Sequence, residues 1–120
     1  MPEATKPTVT GLQVGTSGFA YASWRPDFYP AGLRPEEFLS FYATRFGTVE
    51  INSTFYNLPA EGTLRRWADM TPPDFRFALK LSRRIAHDGR IDLVPTFCER
   101  ARALGERLGP ILIRPRDDRP

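Results

Sequence analysis

The residues of this chain best suited to chemistry lie in a short alternating stretch, Thr48 to Asn52. In a strand, Val49 and Ile51 would point to one side and Glu50 and Asn52 to the other, because successive side chains alternate between faces. A carboxylate can move protons and an amide can hold a substrate oxygen, so the polar side suits a catalytic or binding site. The same alternation is also typical of an amphipathic strand with one face in water, and both interpretations stay open.

Two further groups could act beside Glu50, which is the best candidate for a general acid or base. Lys80 ends a second alternating stretch, where a lysine can bind an anion or form a Schiff base. The structural alternative is a carboxylate at position 50 that is neutralised by Lys80 or Arg76 on the next strand. His87 is the only histidine, and it is either a proton shuttle or a solvated loop residue.

Other kinds of site find little support in the sequence. With one histidine and one cysteine, the chain cannot supply the imidazole and thiolate sets of common metal centres, so we predict no metal site. Ser17 and Gly18 would let backbone amides approach a ligand such as a phosphate, but no Walker lysine or G-x-G-x-x-G motif accompanies them. A phosphate site is therefore only weakly indicated, and the sequence leaves the cofactor unknown. An aromatic loop, Phe19 to Pro30, could line a substrate pocket or could close as a lid on the core.

Composition indicates one globular domain. The chain has 120 residues, 41% hydrophobic and 26% charged, and a net charge of +3 carried by scattered arginines. The single Cys98 fits a reducing cytoplasm, no apolar run reaches the roughly 20 residues that span a bilayer, and no signal peptide is recognisable. A small-molecule substrate is the first expectation. The alternative partner is a nucleic acid, with Tyr21, Trp24, Phe28 and Tyr56 stacking on bases.

The elements alternate as strand, helix, strand, helix, strand, helix, strand, which predicts an α/β fold with a parallel sheet. We expect strands at 12–16, 48–52, 75–80 and 111–114, helices at 35–46, 61–70 and 92–108, and a loop at 82–88. The residues expected to face the helices are all hydrophobic: Leu12, Val14, Val49, Ile51, Phe75, Phe77, Leu79, Ile111 and Ile113. The residues expected to face inward are mostly polar: Gln13, Gly15, Ser17, Glu50, Asn52, Arg76, Ala78, Lys80, Leu112 and Arg114. A polar inner face favours a barrel of β/α units over an open doubly wound sheet, with the chemistry at the carboxyl ends of the strands.

Five segments resemble the YecE-like proteins, the domain of unknown function 72 family. They are G-T-S-G-F at 15–19, W-R-P-D-F-Y-P at 24–30, T-V-E-I-N-S-T-F-Y-N-L-P at 48–59, P-D-F-R-F-A-L-K at 73–80 and L-G-P-I-L at 108–112. The resemblance runs from about Leu12 to Ile113 and implies a TIM-barrel-like fold without implying an activity. It marks ten candidate site positions: Thr16, Ser17, Trp24, Tyr29, Glu50, Asn52, Thr54, Tyr56, Lys80 and His87. We assign catalytic roles to Glu50, Lys80 and His87, and substrate binding to the other seven and Arg114.

The chain departs from the family pattern in two places and in length. Ala86-His87 stands where the family usually has Thr-His, and Arg114-Pro115-Arg116 stands where a Gln-Leu-Pro-Pro-like run is usual. A complete (β/α)₈ barrel takes about 250 residues. We therefore expect a flexible tail at 1–11, a partial barrel at 12–114 and a charged end at 115–120. We expect such a chain to be a fragment, a truncated reading frame, or a half-barrel that pairs with another copy or with a missing half. A non-catalytic half-barrel that serves only as an assembly partner is a third functional hypothesis, beside the enzyme and the nucleic-acid-binding protein.

Overall fold

The computed structural model of the chain describes residues 12–117, so the predicted tail at 1–11 lies outside the described residues. Four strands form one sheet: β1 (Gly15–Ser17), β2 (Thr48–Ile51), β3 (Arg76–Lys80) and β4 (Leu108–Leu112). Their order is β1-β2-β3-β4, and every neighbouring pair is parallel. The predicted α/β fold with a parallel sheet is confirmed.

Helices connect the strands in the predicted alternation. They are α1 (Phe38–Tyr42), α2 (Ser53–Tyr56), α3 (Glu61–Asp69), α4 (Arg83–Ala86) and α5 (Val94–Ala101), with 3₁₀ turns at Ala22–Trp24, Pro35–Glu37, Ile91–Leu93 and Arg102–Arg107. The opening predicted at Pro35 is confirmed, because the Glu37 carboxylate accepts a hydrogen bond from the Arg34 amide at 2.9 Å. The loop predicted at 82–88 instead contains α4, where the Ser82 hydroxyl oxygen accepts a bond from the Arg84 amide at 3.2 Å.

The hydrophobic face of the two central strands forms the floor of the core. Val49 and Ile51 of β2 are 1% and 4% exposed, and Phe77 and Leu79 of β3 are fully buried. The helical side supplies most of the other residues of this cluster: Phe38, Leu39, Tyr42, Leu64, Ala68, Phe97, Ala101 and Leu104. The period-two pattern therefore predicted the buried face of β2 and β3 correctly.

The two edge strands differ from the prediction. Strand β1 begins at Gly15, and Leu12 and Val14 before it are 59% and 52% exposed. Strand β4 begins at Leu108, and Ile113 follows it with 60% of its surface exposed. Each edge strand has a neighbour on one side only in the described part of the chain, so a hydrophobic residue there is not covered merely because the pattern alternates.

The aromatic loop combines the two roles that the sequence left open, because Tyr29 and Phe28 pack on the core while Tyr21 and Trp24 line open cavities. Tyr29 is fully buried and stacks on Phe38 with ring centroids 4.1 Å apart. Phe28 meets Trp24 edge to face at 5.6 Å and Phe41 at 5.4 Å. Within residues 12–117, no helix has the length and the hydrophobicity needed to cross a bilayer.

Candidate functional site

Three polar side chains meet where β1 and β2 end. Ser17 is paired with Glu50 across the two strands, and its hydroxyl donates a hydrogen bond to the Glu50 Oε1 atom at 2.8 Å. Asn52 follows β2, and its amide Nδ2 donates to the Ser17 hydroxyl oxygen and lies 3.4 Å from Glu50 Oε1. We call Ser17, Glu50 and Asn52 the polar trio. It joins three of the predicted site residues in one hydrogen-bonded group.

Two cavities flank the polar trio. One of about 280 Å³ lies over the polar face of the sheet and is lined by Gly15, Thr16, Ser17, Thr48, Glu50 and Ala78. The other, of about 230 Å³, lies beyond the end of β2 and is lined by Gly18, Phe19, Ala20, Tyr21, Ile51, Asn52, Ser53 and Trp67. Glu50 and Asn52 therefore face different spaces while sharing Ser17 as a hydrogen-bond partner.

The trio carries its negative charge without a neighbouring cation. Among residues 12–117, no lysine, arginine or histidine lies within ion-pair distance of the Glu50 carboxylate. The Arg76 Nη1 atom donates instead to the carbonyls of Pro73 at 2.8 Å and Phe75 at 3.0 Å, at the opposite end of β3. The ion pair considered from the sequence is thus not formed with Lys80 or Arg76.

Lys80 belongs to a second group of side chains. Its Nζ atom lies 4.3 Å from the centroid of the Phe55 ring, a cation–π distance. The His87 ring meets the same Phe55 ring edge to face at 5.1 Å. Its Nε2 atom is 3.0 Å from the Arg114 carbonyl oxygen, which can only accept, so Nε2 carries the proton of this bond. We call Phe55, Lys80 and His87 the cation group.

The backbone register places the two groups side by side. Ile51 pairs with Leu79, so Asn52 and Lys80 follow at the same height on neighbouring strands. This agrees with the height expected from the alternation. The side chains then diverge, because Asn52 turns toward Ser17 of β1 whereas Lys80 extends over Phe55 of α2.

Three other predicted site residues form hydrogen bonds that join elements of the fold. The Thr16 amide donates to the Tyr42 hydroxyl oxygen at 2.8 Å, and the Tyr42 hydroxyl donates to the Thr48 carbonyl at 2.8 Å, which ties β1 and β2 to α1. The buried Thr54 hydroxyl donates to the Lys80 carbonyl at 2.6 Å. The Tyr29 hydroxyl donates to the Phe19 carbonyl. All three position elements around the trio and the cation group.

Burial raises the pKa of the two tyrosine hydroxyls in this group, those of Tyr29 and Tyr42. It is the main cause that raises the pKa of Tyr29 above its ordinary value, and the neighbouring Tyr42 acts in the same direction. Burial also raises the pKa of Tyr42, although the hydrogen bonds from Thr16 oppose the shift. Both hydroxyls are therefore held in their neutral form, which suits their structural bonds.

The remaining candidates lie at the surface or among other rings. Trp24 is half-buried between Tyr21 and Phe28, and Tyr56 is 62% exposed beside Phe55. Arg114 is exposed and reaches Asp117 at 3.7 Å, so it meets the cation group through its carbonyl oxygen and not its guanidinium. In the described residues, no three histidine, cysteine, aspartate or glutamate side chains are grouped to hold a metal ion.

Comparison with known proteins gives a family. The model of the family described as "Protein of unknown function DUF72" matches residues 13–116. This chain belongs to the DUF72 family. A curated relative, the UPF0759 protein YecE of Escherichia coli strain K12, is 39% identical over 75 residues, which cover 59% of this chain and 28% of that protein.

Solved DUF72 structures share the fold. The crystal structure of a DUF72 protein from Thermotoga maritima has a TM-score of 0.72 and 28% identity, covering 94% of this chain and 45% of that one. A DUF72 protein from Enterococcus faecalis has a TM-score of 0.61 at 23% identity, covering 67% of this chain and 33% of its own. This DUF72 chain therefore spans less than half the length of each of these relatives.

Sequence reasoning missed one residue of the site and one use of a backbone group. Phe55, which carries the cation group in this DUF72 chain, follows the polar run Ser53-Thr54, and only its position just past a strand end could have marked it. The Gly18 amide, considered for phosphate binding, donates to the Glu50 carbonyl at 2.7 Å and so supports the trio instead. Gly18 has φ +81°, a conformation that L side chains rarely adopt.

Proposed function

We propose that this DUF72 chain is an enzyme, or part of one, that acts on a small polar or phosphorylated molecule by acid–base chemistry. The observation that carries the proposal is the polar trio: a carboxylate with no paired cation among the described residues, held by a serine hydroxyl and an amide beside a cavity of about 280 Å³. A merely solvated strand face does not require such a shared hydrogen-bond arrangement. The framework proposed with it is a TIM-barrel-like set of β/α units, whose chemistry lies at the carboxyl ends of the strands.

Glu50 is the proton-transfer group in this proposal. Its Oε1 atom already accepts the Ser17 hydroxyl, so a substrate hydroxyl that replaced Ser17 would find an acceptor at hydrogen-bond distance. Ser17 and Asn52 orient the carboxylate, because both side chains approach the same oxygen atom. Their role is to hold Glu50 at one angle while the substrate binds.

Lys80 is the group that binds an anionic substituent. Its ammonium rests on Phe55 and forms no ion pair among the described residues, so its charge is available to a phosphate or carboxylate. Asn52 lies at the same height on the next strand, but its amide turns toward Ser17, so Lys80 binds the substituent without it. His87 is oriented by its bond to the Arg114 carbonyl and is the second candidate for proton transfer.

The anion-binding part is tested with glycerol 3-phosphate as the probe and glycerol as its neutral counterpart. We expect the phosphate ester to shift the backbone amide resonances of residues 50–56 and 80–82, and glycerol to leave them unchanged. Lys80→Gln should weaken the binding of the phosphate ester about tenfold, which corresponds to about 1.4 kcal/mol of binding free energy. Arg76→Gln is the matched control, since Arg76 lies on the same strand and the same face at its other end.

The acid–base part is tested by turnover. A panel of triose, tetrose and pentose phosphates is incubated with the protein and followed by proton NMR, and conversion by the wild type should fall at least about 100-fold in Glu50→Gln. Binding without any turnover would remove the enzymatic proposal. Equal affinities of the Lys80→Gln and Arg76→Gln proteins would remove the anion site.

A further inference from the structure

The sheet of this chain has two open edges. In the described residues, β1 pairs with β2 alone and β4 with β3 alone, so each has one side without a neighbouring strand. One backbone group of β1 is covered, because the Ser17 carbonyl accepts a hydrogen bond from the Tyr21 hydroxyl at 2.7 Å. Open edges are the parts of a sheet that pair with other strands unless charge, proline, a bulge, a very short strand or cover protects them. Here β1 has three residues and β4 contains Pro110. Neither edge strand carries a charged side chain between its first and last residue.

Four of the eight large hydrophobic residues that are exposed in the described part of the chain lie at these two edges. Leu12 and Val14, just before β1, are 59% and 52% exposed, and Leu112 and Ile113, at the end of β4, are 41% and 60% exposed. Beside Thr16 of β1 there is also an open cavity of about 300 Å³, which three aromatic rings line, those of Trp24, Phe28 and Phe46. Apolar surface that is grouped in this way marks a contact surface more often than scattered single residues do.

The direction of the strands selects the partner. Because all four strands are parallel, the β1 edge and the β4 edge run the same way and face outward on opposite sides. A twofold axis along the strands therefore brings β4 of one copy beside β1 of a second copy, in parallel, and does so twice. This arrangement leaves neither edge open, and closed twofold pairs are the commonest symmetric assemblies. Pairing of β1 with β1 would run antiparallel and leave both β4 edges exposed.

We propose that two copies of this chain associate through the β1 and β4 edges, and that the pair encloses the polar face of the sheet.

The pairing adds to the proposed function, and it rests on that function only for the ligand site that it would enclose. The polar trio and Lys80 lie on the face that the pair encloses, so a ligand bound there would be shielded from water by the second copy. The association itself does not need a ligand. It depends on the edges and their hydrophobic residues alone.

The association is tested by sedimentation velocity across protein concentrations from about 1 to 200 μM, a range that covers micromolar dimers. We expect a species with twice the 13.6 kDa mass of the chain. Val14→Lys at one edge and Ile113→Lys at the other should each weaken the dimer at least tenfold. Ile91→Lys is the control, because Ile91 is 75% exposed and lies in the 3₁₀ turn before α5, on neither edge strand.

Hydrogen exchange provides the second measurement. Amides of residues 12–17 and 108–113 should gain protection as the protein concentration rises, and those of α3 should not. A folded monomer at every concentration would overturn the inference, as would a dimer that Ile91→Lys weakens as much as the two edge substitutions. A monomer that still binds glycerol 3-phosphate overturns the pairing alone, and a dimer that binds no ligand and converts no substrate overturns the proposed function alone.

Discussion

The side chains on the two faces of the sheet are held by different interactions, although both faces belong to the same strands. On the helical face, Phe77 and Leu79 are fully buried, and Val49 and Ile51 are almost so. On the polar face, Glu50 and Lys80 are partly exposed. The Glu50 carboxylate accepts a hydrogen bond from Ser17, and the Lys80 ammonium lies over the Phe55 ring. Packing fixes the first face and hydrogen bonds orient the second. We therefore expect substitutions on the helical face to change stability, and substitutions on the polar face to change ligand binding.

The strongest test of this contrast replaces a residue on each face of β3. Phe77 packs on Trp67 with ring centroids 5.9 Å apart and meets Phe75 at 5.0 Å, so Phe77→Ala should lower the free energy of unfolding by about 3–5 kcal/mol. Lys80→Ala, three residues along on the other face, should cost less than about 1 kcal/mol. Urea denaturation followed by circular dichroism measures both. Equal losses would mean that the polar face is as tightly packed as the helical face.

Gly15 is the expected exception on the polar face. A Cβ atom at this position would lie 2.0 Å from the Thr48 carbonyl oxygen, so Gly15→Ala must push β1 away from β2. We expect a loss of about 1–3 kcal/mol in the free energy of unfolding. In Gly62→Ala, where the added carbon meets open space within α3, we expect a gain of up to about 1 kcal/mol. If Gly15→Ala matched Gly62→Ala in a thermal melt, the close approach of β1 and β2 would not matter for stability.

The smallest expected effect concerns a single hydroxyl behind the helical face. Tyr29→Phe removes the bond to the Phe19 carbonyl and should cost about 1 kcal/mol at pH 7, whereas Tyr56→Phe, at an exposed ring, should cost nothing measurable. The variant should also change the response to alkali. Because burial raises the pKa of Tyr29, the folded chain holds this proton more tightly than the unfolded chain does.

The resulting stability is complete below the ordinary tyrosine pKa of 10.0 and is lost as the pH rises above it. The loss for one tyrosine is at most about 1.4 kcal/mol per pH unit. Denaturation curves recorded between pH 9 and 11 should therefore give a free energy of unfolding that falls less steeply with pH for Tyr29→Phe than for the wild type. An unchanged slope would show that this phenol does not resist ionisation in the folded chain.

The central strands were predictable because two independent constraints agree there. Val49, Ile51, Phe77 and Leu79 alternate with polar residues, and a strand with neighbours on both sides can bury only one such set. The edge strands β1 and β4 have a neighbour on one side only, so the alternating pattern is not supported there by this second constraint. The sequence predicts that Gly109 and Pro110 separate the last helix from the last strand, but both lie inside β4. A proline is tolerated there because an edge strand has a side without partners.

The site was predictable only as far as the backbone determines it. Alternation placed Glu50 and Lys80 on one face, and the observed register agrees. The direction of a long side chain beyond its Cβ depends on contacts that are distant in sequence, such as the one between the Lys80 ammonium and Phe55. The bond between His87 and the Arg114 carbonyl joins residues that are 27 positions apart, and no local pattern indicates it.

The hydrogen bond from Thr54 to the Lys80 carbonyl has a mechanical consequence. It fastens the first turn of α2 to the last residue of β3, and the next residue of that turn is Phe55, on which the Lys80 ammonium rests. The Phe55 ring and the Lys80 backbone are therefore held together, and a movement of Lys80 involves chiefly the outer methylenes of its side chain. An arriving anion needs to move a few atoms of one side chain, while the scaffold beneath it stays still.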